Sequence, residues 1–332
     1  MRRFLADIAP WRLSFDRLVI GYTLLSGVLP LLNPSCFDAV AEPGPLHTPW
    51  AHLAWHLVLA GLVYVAPAWL RARSWWPARL AGLMAVPLLF PSFYAEIEFL
   101  GVIFRDYGHS FDPVLIDLEQ WIFGMQPSLE WSRVWPWPWL LELMEFAYFS
   151  YYAFGFMGLA LIWLGARRSA ARNWSLSAQM IRDLTAVMLS CYLWYIAFPV
   201  WGPKYFDYIG VAGNIASEGL DGWIFTDIMR AIHEGGALHG AAFPSSHVAG
   251  SMVSWWWIWK CAPRHRWWVT TLWALLCLSI VYCRYHYVID LVAGVAWGAL
   301  IMRLTARYMP MAPEGLRQPP AVGAADARHR VG

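Results

Sequence analysis

The sequence predicts an all-α polytopic membrane protein in which about eight helices span the bilayer. The chain is 59% hydrophobic and only 14% charged over 332 residues, whereas soluble domains carry about a quarter charged residues. It has 24 tryptophans and 15 tyrosines, residues that collect at membrane–water boundaries. Apolar runs close to the roughly 20 residues of a spanning helix recur near 18–33, 52–70, 80–99, 139–164, 183–200, 246–262, 267–285 and 287–306.

The two ends of the chain predict a single membrane domain over 1–309 and a disordered cytoplasmic tail over 310–332. Charged residues rather than an apolar run follow Arg2, so we expect no cleaved signal and a retained first helix. The tail is rich in Pro, Ala, Gly and Arg, a composition typical of disorder. Within the third apolar run, Pro87 and Pro91 predict a kink.

The basic residues predict the orientation of the chain in the membrane. Of the 24 Lys and Arg residues, 19 fall in one alternating set of segments, which includes both termini. Basic segments stay on the cytoplasmic side, so we expect cytoplasmic termini in a membrane of the bacterial inner- or plasma-membrane type. The net charge of +2 gives no reason to expect a nucleic-acid partner. The extracytoplasmic set contains Arg105, Arg133, Lys204, Arg230 and Arg284.

Two long segments, 101–138 and 201–245, are expected on the extracytoplasmic face. The first places apolar residues at helical spacing, which predicts a helix lying in the membrane interface; these residues are Val114, Leu115, Leu118, Trp121 and Ile122. This helix is either a packed cover or a part of the substrate site. The second segment predicts a short helix that ends at Gly235 and Gly236.

Two short motifs lie about 40 residues apart in the chain, F-P-S-S-H at 243–247 and H-Y-V-I-D at 286–290. Each stands at the predicted start of a spanning helix. The chain makes one round trip across the bilayer between them, so the topology returns both motifs to the same face. Both histidines are therefore expected near the extracytoplasmic surface, at the N-terminal ends of helices.

Such a position favours a phosphate group. A helix N-terminus presents backbone N–H groups and the positive end of the helix dipole, and Ser245 and Ser246 add hydroxyl donors. The i, i+4 spacing of His286 and Asp290 predicts that the carboxylate holds one imidazole N–H, which leaves the other nitrogen as a nucleophile. His247 is then placed to protonate the leaving oxygen.

The P-S-S-H motif, followed by Ser279 and then H-x-x-x-D, resembles the type 2 phosphatidic acid phosphatase superfamily, which shares a helical core with vanadium haloperoxidases. The resemblance covers about residues 185–305. It implies a six-helix phosphatase-like core, a catalytic region over about 140–306, and metal-independent chemistry without a cofactor. It also implies that His286 is the nucleophile, His247 the acid and Asp290 the residue that orients the nucleophile.

Within the superfamily, the H-Y-x-x-D form and the stretches 112–117 and 148–152 resemble the branch of inositol phosphorylceramide synthases. The resemblance thus implies lipid metabolism, with a phosphorylated membrane lipid as donor. The enzyme is either a lipid phosphatase, with water as acceptor, or a headgroup phosphotransferase. In the second case, the acceptor is a hydroxyl group of an inositol, ceramide or diacylglycerol type.

The chain departs from the superfamily pattern at two cationic positions. The first family motif, K-x-x-x-x-x-x-R-P, is absent, and we assign Lys204 as the replacement phosphate ligand. The arginine that follows the motif serine is also absent, since Ile280 stands there. Arg284 lies four residues further on, one helical turn away, and is expected to supply the missing guanidinium.

Two other functions remain open from the sequence. His247, His286 and Asp290 have a spacing that allows a metal site, as in a metal-dependent membrane hydrolase, although flanking serines and nearby cations suit an anion. A non-enzymatic transporter or channel predicts polar residues near the bilayer midplane, whereas the polar cluster lies at one edge. Glu142 and Glu145 either bind a headgroup or face water.

Overall fold

The computed structural model describes residues 1–40, 44–103, 110–165, 169–205, 221–236 and 238–310. These residues confirm the all-α class, and no β-strand occurs among them apart from an isolated bridge between Val200 and Ala241. The expected disordered tail lies outside the described residues from position 311 onward. The first helices are α1 (Arg2–Ile8), α2 (Ser14–Val28), α3 (Pro49–Arg71), α4 (Trp76–Met84), α5 (Phe90–Ala95), α6 (Ile97–Gly101), α7 (Asp112–Phe123) and α8 (Pro127–Val134).

The second half of the chain contributes the helices that position the candidate site. A long helix, α11, packs against α13 and α15, and α10 packs against α13 from another side. Short 3₁₀ turns join several helices, including Pro203–Tyr205. The helices of this half are α9 (Pro138–Phe149), α10 (Tyr151–Leu164), α11 (Ala170–Ala197), α12 (Ile224–Gly236), α13 (Ser246–Cys261), α14 (Arg266–Tyr282) and α15 (Val288–Tyr308).

The number of helices able to span a membrane is smaller than the eight predicted. Two described helices, α3 and α15, are long and apolar enough to cross a bilayer. Two bent pairs raise this number to four if each pair is one span: α4 with Pro87–Ala95, bent by 45°, and α9 with α10, bent by 53°. The membrane class therefore stands, and the prediction of about eight spans is corrected to two to four.

The difference has local causes. Helices α2, α13 and α14 contain 15, 16 and 17 residues, which is shorter than the roughly 30 Å hydrocarbon layer at about 1.5 Å per residue. Pro87 lacks the N–H that would continue α4. Between α9 and α10, the Ser150 hydroxyl donates to the Ala147 carbonyl at 2.6 Å, a contact that bends helices. Helix α11 is long, but its middle carries the ion pair of Arg182 and Asp183.

Two glycines set the close approach of α13 and α15. A Cβ atom at Gly294 would lie 2.7 Å from the Ser245 carbonyl oxygen, and one at Gly298 would lie 3.3 Å from the Ala249 Cα atom. The glycine pair is thus a helix contact. This contact brings the N-terminal ends of α13 and α15, which carry the two histidine motifs, side by side.

The two segments 101–138 and 201–245 contain the predicted short helices. Helix α7 buries Leu115 and Glu119, while Val114, Trp121 and Ile122 on its other side are exposed, as expected for a helix at an interface. Helix α12 spans Ile224–Gly236 and ends at the predicted glycines. The intervening residues 206–220 lie outside the described part of the chain.

Candidate active site

The two histidine motifs meet at the ends of neighbouring helices. Helix α13 begins at Ser246, and α15 begins at Val288, directly after the turn that carries His286. The Ser245 backbone N–H donates to the Asp290 carbonyl at 3.1 Å, which joins the two helix starts. As a result, His247 and His286 face the same cavity.

The hydrogen bonds of His286 fix which ring nitrogen is free. Its Nδ1 lies 3.0 Å from the Ala242 carbonyl oxygen and 3.3 Å from Asp290 Oδ2. A carbonyl oxygen only accepts hydrogen bonds, so Nδ1 carries the proton and Nε2 keeps its lone pair. Burial lowers the pKa of His286 to about 4, which keeps the imidazole neutral near pH 7. Nε2 is therefore a competent nucleophile.

His247 lies between His286 and a tyrosine. Its Nδ1 is 3.3 Å from His286 Nε2, and its Nε2 is 2.9 Å from the Tyr148 hydroxyl. Asp290, His286, His247 and Tyr148 thus form one continuous chain of hydrogen bonds. The sequence indicated the stretch 148–152 only through its resemblance to a family. The contact between Tyr148 and His247, which are 99 residues apart in the chain, is visible only in the folded structure.

Asp290 and His247 contact opposite nitrogens of the His286 ring. The carboxylate reaches Nδ1 while His247 reaches Nε2, so the three side chains do not surround a common point. A metal centre requires one donor atom from each ligand directed at the ion. Asp290 Oδ2 also accepts the Tyr287 backbone N–H at 2.8 Å, which caps α15. This arrangement suits proton handling better than metal binding.

The two serines have different positions. Ser245 is fully buried, and its Oγ caps α13 by accepting the Val248 N–H at 3.4 Å. Ser246 lines the cavity, while its backbone N–H donates to the Tyr195 hydroxyl at 3.0 Å. Of the two serines among the predicted phosphate ligands, Ser246 therefore lies at the cavity and Ser245 caps a helix.

Lys204 lines the same cavity as the two histidines. It is held in the 3₁₀ turn Pro203–Tyr205, and the preceding segment is anchored by Asp112, whose carboxylate accepts the backbone N–H groups of Trp201 and Gly202 at 2.7 Å each. Asp112 Oδ1 also accepts the Tyr287 hydroxyl at 2.8 Å. Asp112 thus ties the Lys204 turn to the residue that follows His286, a role that sequence spacing does not reveal.

Arg284 does not reach the cavity. Helix α14 ends at Tyr282, and Arg284 has a positive φ of 63°. Its Nε donates to the Ser132 hydroxyl on α8 at 2.9 Å, and the residue is buried. The expectation that Arg284 supplies a guanidinium to the phosphate assumed that the helix continued, so the structure offers Lys204 alone as the Lys or Arg of the described cavity lining.

Glu142 and Glu145 have partners within the protein. Glu142 accepts the backbone N–H groups of Trp223, Phe225 and Thr226, which caps the start of α12. Both oxygens of Glu145 lie near the Tyr285 hydroxyl, at 3.0 and 3.1 Å. Glu145 therefore contacts Tyr285, a residue that lines the cavity. Glu142 caps α12, the helix that contributes Ile232 and His233 to the cavity lining.

The cavity has a volume of about 460 Å³ and two chemically different ends. Its polar end carries Lys204, His233, Ser246, His247 and His286. Its other end is lined by apolar side chains of α4, α10 and α11 and of the Pro87–Leu89 turn, among them Met84, Leu88, Phe156, Leu159 and Leu184. A molecule with a small anionic group and an apolar body matches both ends.

The ionisation of Lys204 gives a pH-dependent prediction. Burial lowers the pKa of Lys204 to about 8, although the charges of Glu145 and Glu234 oppose this shift. The ammonium is therefore present below about pH 8 and is lost above it. We expect vanadate to bind more weakly to the wild type as pH rises from 8 to 10, because the cation that contacts the anion disappears.

The matched variant for this prediction is Lys204→Arg, since a guanidinium stays charged throughout this range. Its vanadate inhibition constant should lack the rise expected for the wild type between pH 8 and 10, and comparison of the two proteins cancels the ionisation of vanadate itself. Lys204→Met should weaken binding by about 10–100-fold at pH 7. Superimposable pH profiles for wild type and Lys204→Arg would remove Lys204 from the anion site.

Comparison with known proteins agrees with this geometry. A PA-phosphatase related-family protein of Dictyostelium discoideum is 25% identical over 166 residues, which cover 46% of this chain and 30% of that protein. The match thus spans less than a third of the relative's length. No solved structure matches the chain with statistical significance. A family model described as the PAP2 superfamily matches residues 114–304, more than half of the chain and the region that holds both histidine motifs. This chain therefore belongs to the PAP2 superfamily.

Proposed function

We propose that this protein is a membrane-embedded enzyme that transfers the phosphoryl group or phospho-headgroup of a lipid through a covalent intermediate on His286. The observation that carries the proposal is the continuity of the cavity. One cavity is lined both by His247, His286 and Lys204 and by apolar side chains of α4 and α10. Membership of the PAP2 superfamily supports phosphatase-type or phosphotransferase-type chemistry.

The apolar end of the cavity gives the proposal its substrate class. Leu88 and Phe156 line the cavity and are 68% and 64% exposed on the outer surface of the helices. Because the Pro87–Leu89 turn and α10 belong to the bent candidate spans, we propose that this end opens sideways toward the bilayer. A lipid can enter with its chains between these helices and its phosphate toward Lys204.

In the first proposed step, the His286 Nε2 lone pair attacks phosphorus, and the P–O bond to the lipid breaks. The imidazolium form of His247, which the negative charge of the bound phosphate favours, gives its proton to the departing oxygen, while Asp290 and the Ala242 carbonyl hold the His286 Nδ1–H. In the structure, His286 Nε2 lies 3.3 Å from His247 Nδ1, so substrate binding must move the His247 ring aside. Lys204 and Ser246 stabilise the charge on the non-bridging oxygens.

In the second step, an acceptor hydroxyl gives its proton to His247 and attacks phosphorus, and the P–N bond breaks. With water as acceptor the enzyme is a lipid phosphatase. With an inositol, ceramide or diacylglycerol-type hydroxyl it is a transferase related in activity to inositol phosphorylceramide synthases. Helix α12, which Glu142 caps and which contributes Ile232 and His233 to the cavity lining, supports transfer, since a transferase must exclude water.

We further propose that residues 1–309 form one membrane domain with its catalytic core at about 140–306. Both termini are placed in the cytoplasm and the cavity at the extracytoplasmic face, as the distribution of basic residues predicts. This orientation suits a lipid donor of the outer leaflet.

A partition assay distinguishes hydrolysis from transfer. Purified protein in nanodiscs is given a phosphorus-labelled lipid donor, either phosphatidic acid or phosphatidylinositol, with and without inositol, ceramide or diacylglycerol. In transfer, the acceptor raises the yield of its own labelled phosphorylated product at the expense of free phosphate or phospho-headgroup. If no acceptor changes this ratio while hydrolysis proceeds, the enzyme is a phosphatase. If no phosphorylated lipid is turned over at all, the proposed function fails; His286→Ala protein gives the background.

A further inference from the structure

A second cluster of potential ligands lies away from the histidine pair of the cavity. His52 and His56 stand one turn apart on α3, and Glu96 lies between α5 and α6. Each side chain offers one ligand atom, and these atoms all lie within 4.8 Å of one another. Both histidines are buried, at 3% and 0% exposed. We propose that this cluster, the His52–His56–Glu96 site, binds a divalent transition-metal ion of the zinc class.

The hydrogen bonds of His56 require a cation or a second proton between His56 and Glu96. His56 Nδ1 lies 2.8 Å from the Thr23 carbonyl oxygen, which only accepts, so Nδ1 carries a proton. The neutral ring then presents the lone pair of Nε2 to Glu96 Oε1 at 3.0 Å. Two acceptors at this distance repel each other unless a cation or a second proton lies between them.

Unpartnered polar atoms favour a metal ion over a single proton. His52 Nε2 and Glu96 Oε2 are buried and lack hydrogen-bond partners among the described residues. The rings of His52 and His56 lie 4.2 Å apart, so an imidazolium at His56 would leave His52 without a partner. One ion that accepts both imidazole nitrogens and the carboxylate satisfies all of these atoms.

The residues around His56 orient its ring as the neighbours of a metal-binding histidine do. A histidine ligand usually donates its other ring N–H to a carbonyl or carboxylate, which fixes the ring; His56 does so to Thr23, with Ser26 Oγ 3.1 Å from the same nitrogen. A Cβ atom at Gly27 would lie 2.5 Å from His56 Cβ, so only glycine allows the ring this close to α2.

The ligand types indicate which metal fits. Two imidazoles and one carboxylate bind zinc at about 2.0–2.2 Å, which places neighbouring ligand atoms about 3.3 Å apart. The observed 3.0 Å between His56 Nε2 and Glu96 Oε1 is close to that spacing. The ion would join α2, α3 and the α5–α6 junction, all outside the residues 114–304 of the family match. None of the three ligands lines the cavity, so the ion serves structure rather than turnover.

The test measures zinc binding by the full-length detergent-purified protein after chelator dialysis. We expect saturable binding of about one zinc per chain and a rise in Tm with zinc. His52→Ala and Glu96→Gln should each weaken this binding at least about tenfold. The matched control is His239→Ala, because His239 Nδ1 pairs with Glu98 at the same 3.0 Å but belongs to no group of three possible metal ligands among the described residues; its zinc affinity should equal that of the wild type.

Cobalt gives a second readout that does not depend on the variants. Co²⁺ in a site with imidazole and carboxylate ligands produces visible ligand-field absorption, which zinc then removes. If the variants do not fold, the zinc binding, the Tm change and the cobalt absorption of the wild type still test the proposal. Absence of saturable zinc binding and of any Tm change in the wild type would overturn the proposal in favour of a proton shared by His56 and Glu96. Zinc binding that is unaltered in both His52→Ala and Glu96→Gln would overturn it as well.

Discussion

His286→Ala is expected to abolish turnover of every phosphorylated lipid, with a loss on the order of 10⁴–10⁶ in kcat. The reason is that Nε2 is the atom that forms the bond to phosphorus. Nδ1 is occupied by the Ala242 carbonyl and Asp290, and no other described nucleophile occupies the same position. The measurement is initial-rate kinetics in nanodiscs, on saturating donor lipid.

The control for this variant is His265→Ala, which removes an imidazole between α13 and α14 at the opposite end of these helices. It should retain wild-type kcat. Both proteins should elute as the wild type in gel filtration, which separates loss of chemistry from loss of fold. A His286→Ala protein that keeps more than about a tenth of wild-type kcat would remove the proposed nucleophile.

His247→Ala is expected to lower kcat on the natural lipid by about 10²–10⁴, the usual contribution of a general acid. The loss should be far smaller on a substrate with a nitrophenyl leaving group, because this oxygen departs without a proton. The contact between His247 Nε2 and the Tyr148 hydroxyl at 2.9 Å orients the ring in the wild type. The measurement compares kcat on the two substrates for wild type and variant.

Equal losses on natural and activated substrates would contradict the acid role. In that case His247 would act mainly by positioning His286, which it contacts at 3.3 Å. His265→Ala again provides the reference, since it should change neither rate.

The meeting of the two histidines follows from features that a sequence contains. Helices α13 and α14 lie between the two histidine motifs and pack against each other, so the chain returns to the same end of this helix pair. The glycines at 294 and 298 allow α13 and α15 to pack closely. The expected contact between His286 and Asp290 also occurs, at 3.3 Å. It arises from a helix cap rather than a shared helix face, because α15 begins only at Val288.

Features that depend on where a helix ends were harder to predict. The prediction for Arg284 assumed that α14 continued, but the helix ends at Tyr282, Arg284 has a positive φ, and its side chain contacts Ser132. The number of spans was overestimated for a similar reason: α2, α13 and α14 end after only 15, 16 and 17 residues, and hydropathy does not register where a helix ends.

Contacts between distant parts of the chain were not predictable from one sequence. Asp112 accepts hydrogen bonds from Trp201, Gly202 and Tyr287, and Tyr148 reaches His247. No local spacing connects these residues, since each pair is joined only by the packing of separate helices. The role of Glu142 as a helix cap has the same origin.

The most direct test of the central claim is to trap the covalent intermediate. Wild-type protein is mixed with phosphorus-labelled donor lipid, quenched in alkali within the first turnover, digested and analysed by mass spectrometry. The account predicts alkali-stable, acid-labile label on the peptide that contains His286, and none in His286→Ala protein. A complete first turnover without label on the protein, or label on a peptide that lacks His286, would contradict it.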